Sequence, residues 1–182
     1  MTTHRELFDT VVAEVERDYA HVFEHEEGTM PTDDEEGFVQ YEVFDALPLD
    51  VPADTFSNFI VRDALMVKAN EDDKFAFVLC NKIIHHAKSA SETGNFGQAE
   101  LDALATAIHI QAMWEQAERA VMLANVAMEH AKEQDLKMPS IMEASRKIIM
   151  AQTMMGYDLP ALRAQMGKDL APMLMQALDT EI

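Results

Sequence analysis

Apolar residues return at spacings of three and four along most of this chain, and residues that start or stop helices separate the runs. A pattern with a period near 3.6 cannot present a flat apolar face to a sheet, so it restricts the chain to folds built by packing helices. The first run holds Leu7, Phe8, Val11, Val12, Val15, Tyr19, Val22 and Phe23. It follows Thr3-His4-Arg5-Glu6, which has the form of a capping box. This helix is expected to reach about Glu27 and stop at Gly28, and residues 28–37 read as an exposed loop. Phe38 to Phe44 is the one stretch with the composition of a strand, and Pro48 and Pro52 extend the chain after it.

From Asp54 onward helical punctuation repeats. Asp54 is expected to cap a helix through Ala69 that buries Phe56, Phe59, Ile60, Ala64, Leu65 and Val67. Asp72 or Asp73 caps the next helix, which ends before Gly94; further helices span about Gln98–Glu115 and Ala117–Glu133. Ser140-Ile141-Met142-Glu143 reads as a second capping box, with Gly156 closing that helix. Asp158 and Pro160 open a last stretch that Gly167 and Pro172 are expected to divide. The fold class is therefore all-α, a helical bundle or stacked helical hairpins with at most one short extended segment. Residues 1–52 read as an acidic helix plus linker and 53–182 as the bundle, with a single compact domain as the alternative division.

The most patterned part is the helix pair with Ala103, Ala105, Ala107 and Ala112 on one member and Ala117, Ala120, Ala124, Ala127 and Ala131 on the other. Small residues let two backbones approach closely, as in a tetratricopeptide hairpin, although no second copy recurs at a fixed period. Val61-Arg62-Asp63-Ala64-Leu65, this alanine-rich pair and Tyr157-Asp158-Leu159-Pro160 together resemble the helical C-terminal half of an actinobacterial domain-of-unknown-function family over residues 59–163. Members place a glycine-rich turn between the alanine-rich helices, where this chain has Trp114-Glu115-Gln116. The resemblance implies helices and no particular activity.

Charge narrows the classes of partner. The net charge is −19, and residues 1–73 carry 20 acids against four bases. Such a surface repels phosphate backbones and attracts basic proteins. A protein partner with a basic surface is expected, with self-association as a further expectation and no direct nucleic-acid binding. No window has the roughly 20 apolar residues a membrane span needs, and the first residues have no apolar signal region. A single cysteine, Cys80, excludes an internal disulfide and suits the reducing cytoplasm.

Chemistry-bearing patterns are sparse. Asp18, His21 and His25 share one helix face at spacings of three and four, the arrangement by which an i, i+4 histidine pair and a carboxylate hold zinc. A fourth ligand is missing, so a polar face is the expectation and a metal-dependent hydrolase the distant alternative. His85 and His86 diverge by about 100° on a helix. The sequence has no nucleophile elbow, phosphate-binding glycine loop or Cys-x-x-Cys pair. The chain is therefore expected to be non-catalytic and to need no cofactor. Eleven of its 14 methionines lie from Met113 onward, either filling core gaps or lining an adaptable surface. Trp114 is expected to plug the hairpin or to anchor a partner. The reading that follows is an acidic helical protein–protein interaction module. A second reading is an acidic nucleic-acid mimic that inhibits a basic nuclease or other DNA-binding protein. In either case the run Asp33-Asp34-Glu35-Glu36 is the partner-facing candidate.

Overall fold

The computed structural model describes residues 3–23, 49–52, 54–114, 116–153 and 158–182. Among these residues the fold is all-α: α1 (His4–Phe23), α2 (Phe59–Glu71), α3 (Asp73–Glu92), α4 (Gln98–Met113), α5 (Ala117–Glu133), α6 (Pro139–Thr153) and α7 (Leu159–Leu178). The expected loop at 28–37, the strand-like segment Phe38–Phe44 and Gly156 lie outside the described residues.

The organising helix is α4. It is apolar nearly all round, and Leu101, Leu104, Ile108 and Ile110 are all buried. A helix without a polar face has to sit inside, and α4 packs against α2, α3, α5 and α6. α5 turns back on it with Ala120, Ala124 and Ala127 buried. α2 packs along α7, and α1 lies against α2 and α3. Leu7, Phe8, Val11 and Val15 of α1 join the same apolar core as α2 to α6.

Local chemistry sets the helix ends. The Thr3 capping box forms: the Glu6 N–H donates to Thr3 Oγ1 at 3.2 Å, and the Thr3 N–H donates to Glu6 Oε2 at 3.0 Å. Asp72 caps α3 by accepting from the Phe75 N–H at 3.0 Å. At the other end Gly94 takes φ +72°. The Asn95 N–H there donates to the Ala90 carbonyl at 2.7 Å and the Gly94 N–H to Ser91 at 3.2 Å, which closes a Schellman motif.

Three expectations are corrected. α2 is capped by Asn58, not Asp54: Asn58 Oδ1 accepts from Ile60 and Val61, while residues 54–57 form a turn in which the Asn58 N–H donates to the Asp54 carbonyl. Starting four residues later places Phe59 on the first turn, where it is 64% exposed instead of buried. α6 begins at Pro139, so Ser140 is inside the helix and forms no capping box; its hydroxyl donates to Asp102 of α4 at 2.6 Å. Proline suits the first helical position, and the buried Asp102 carboxylate is a stronger acceptor than a backbone group. α7 runs unbroken through Gly167 and Pro172. Gly167 is buried where α7 passes the end of α2, and a Cβ there would come within 2.5 Å of Glu71 Oε1. Packing against α2 thus holds the helix through two residues that weaken it locally.

Candidate functional site

The proposed metal face holds a different arrangement. Asp18 is paired with Lys82 of α3, with side chains 2% and 1% exposed. Glu14 lies 3.8 Å from the same ammonium and Arg17 Nε 3.5 Å from the other Asp18 oxygen. Asp18 thus faces an ammonium instead of a vacant coordination position. The His21 side chain, His25 and the run Asp33-Asp34-Glu35-Glu36 lie outside the described residues. Among those described, no three His, Cys, Asp or Glu side chains form a group able to hold a metal ion.

The other histidines are dispersed. His4 Nδ1 lies 2.7 Å from Asn58 Nδ2, and His86 contacts Glu100 at 3.2 Å. His130 stacks on Phe96 and approaches Ser91 Oγ at 3.4 Å, longer than the reach of an activated nucleophile–base pair. His109 sits beside Arg62 and Glu143 in a crevice of about 10 Å³, room for about one water. Burial, aided by Lys147 and Arg62, pushes it down to about 3, which keeps the imidazole neutral. Burial likewise pushes the Cys80 thiol up to about 12, so it behaves as a small apolar group.

A pocket of about 190 Å³ opens between α3 and the junction of α4 with α5. Its floor is apolar: Ala76, Phe77 and Cys80 come from one stripe of α3 and Ile110 from α4. Trp114 forms a wall at the end of α4, and it is firmly held. Its indole N–H donates to the Ala69 carbonyl at 3.0 Å, and the Arg163 guanidinium of α7 stacks 3.8 Å from the ring centroid. Arg163 is itself buried and donates to the Met113 carbonyl. Trp114 therefore joins α2, α4 and α7 as a packing plug while one part of it borders the pocket. Two carboxamides, Asn81 and Gln111, also line this space.

A second surface lies on α6. Met142, Ile149 and Met150 are 55%, 61% and 50% exposed. Spacings of seven and eight residues put all three on one face of the helix, two turns apart. Exposed Glu143 and Arg146 adjoin them in sequence. Of the six methionines from Met150 onward, which could fill core gaps or line a surface, Met150 and Met173 are exposed, Met166 and Met175 are half-buried, and Met154 and Met155 lie outside the described residues.

The chain matches no family model, no curated protein and no solved structure. Its chemistry has to be read from its own residues. Sequence reasoning missed Lys82, Asn81, Gln111 and Arg163. Lys82 alone left a signal, because it occupies a position of the α3 apolar stripe between Val78 and Ile83.

Proposed function

We propose that this chain is a non-catalytic, acidic helical protein–protein interaction module acting in the cytoplasm, and that it seats a basic protein partner on the outer face of α6. The observation that carries this reading is the stripe Met142, Ile149 and Met150. Isolated apolar residues on a surface need no explanation, but three large ones share one face of a 15-residue helix, with exposed Arg146 between Met142 and the Ile149–Met150 pair, a mixed surface suited to another protein. Methionine side chains adapt to the shape that covers them. The net charge of −19, held mostly by residues 1–73, steers a partner of opposite sign toward the protein, whereas α6, with Glu143, Arg146 and Lys147, supplies the apolar contact.

The test is capture from cytoplasmic lysate by the wild type and by an Ile149→Asp/Met150→Ser double variant in parallel, at low and high salt. Both positions are exposed, so the thermal midpoint should be unchanged within about 0.5 kcal/mol of stability. The double variant should lose the captured partner, and high salt should weaken capture by the wild type. Equal capture by both proteins would refute the assignment to α6. Size-exclusion chromatography over a concentration series separates self-association from capture of a different protein.

A further inference from the structure

The pocket beside Trp114 has features that packing does not require. Asn81 is 7% exposed, and among the described residues no hydrogen bond reaches its carboxamide. Gln111 Oε1 is buried and also lacks a hydrogen-bond partner. Leaving a buried polar atom unsatisfied costs about 1–3 kcal/mol; Gln111 Oε1 is such an atom, and the Asn81 carboxamide beside it lines the same cavity. The terminal torsion of a glutamine is broad, so rotation can turn either end of the Gln111 amide toward the pocket.

From this placement we infer that the pocket binds a planar, single-ring heterocycle with an amide-like donor–acceptor edge, of the pyrimidine nucleobase or lactam class. Size selects a single ring: 190 Å³ modestly exceeds the roughly 150 Å³ cavity that accepts benzene, and falls below the roughly 300 Å³ at which drug-sized pockets begin. Phe77 and Trp114 supply aromatic walls, with Ala76 and Ile110 as the floor. A carboxamide matches such an edge because it offers one donor group and one acceptor side by side, as Asn and Gln do toward bases. The net charge of −19 favours a free heterocycle over a base within a nucleic acid.

Trp114 is the only tryptophan in the chain, so its fluorescence reports directly on this pocket. Uracil titrated into the full chain should produce a saturable change, with toluene binding at least about tenfold more weakly. Asn81→Leu should keep the wild-type circular dichroism and thermal midpoint. It should weaken uracil at least about tenfold, the size of one lost hydrogen bond to a buried partner, and leave toluene unaffected. Gln111→Met is the second variant and should weaken uracil in the same sense should Asn81→Leu fail to fold. Absence of saturation at millimolar uracil, toluene binding as tightly as uracil, or undiminished uracil binding in a folded variant would each overturn the inference.

Discussion

Single residues carry the sharpest energetic consequences. Lys82 and Asp18 place opposite charges at positions where their helices otherwise carry apolar side chains, and both are almost wholly buried. Removing one partner strands a desolvated charge. Lys82→Met is expected to cost about 3–5 kcal/mol in urea denaturation, and Lys82→Met with Asp18→Leu to recover most of that loss. A double variant as unstable as the single one would show that the pair matters for its shape and not its charge. His109 gives a pH dependence of defined sign. An unfolded histidine takes up a proton near pH 6.5, whereas the folded one resists until about 3. The unfolded chain therefore binds more protons in that window. The His109 contribution is complete above pH 6.5 and is lost progressively as the pH falls toward 3. His109→Gln should flatten the fall in denaturation midpoint between pH 7 and pH 5; an unchanged slope would mean that other groups set it. The charge of Lys82 and Asp18 within apolar stripes was legible in the sequence. Their meeting was not, because periodicity fixes a face and not which face lies opposite. The same limit hid Arg163 over Trp114.

At the scale of elements, periodicity located the helices well and their ends less well. Caps chosen by residue type succeeded where the bond is local, as at Thr3 and Asp72, since such a bond is written within four residues. They failed where a competing partner intervened. Ser140 is drawn to Asp102 of α4, and Asp54 is absorbed into the turn that delivers Asn58. Gly167 and Pro172 would weaken an isolated helix, but packing against α2 keeps α7 whole, and local sequence cannot report that packing. The alanine seam was legible because small residues on one stripe have a single structural use. Ala120 is buried without residual exposure. Ala120→Leu should therefore overpack the seam at a cost of about 1–3 kcal/mol, seen as a lower denaturation midpoint. An unaltered midpoint would place slack between α5 and its neighbours.

For the whole molecule, helix order and one shared apolar core follow from the pattern of side chains, whereas function depends on what the core leaves outside. The first turn of α1 is tied to the end of α7 by Arg5, which pairs with Asp179 and donates to the Met175 carbonyl at 2.9 Å. That contact joins α1 to the last helix, and among the described residues Met142, Ile149 and Met150 of α6 stay exposed. The acidic run at 33–36 was the partner-facing candidate in the sequence, while the apolar face was not legible there, because exposure of Met142, Ile149 and Met150 depends on which neighbours α6 acquires. The central claim is that this face receives a protein. Amide hydrogen exchange measured on the full chain, alone and with the captured partner, tests it most directly. The account predicts slowed exchange in α6 at residues 139–153, with the protection reduced at high salt. Protection confined to other helices, with α6 exchanging as in the free chain, would contradict it.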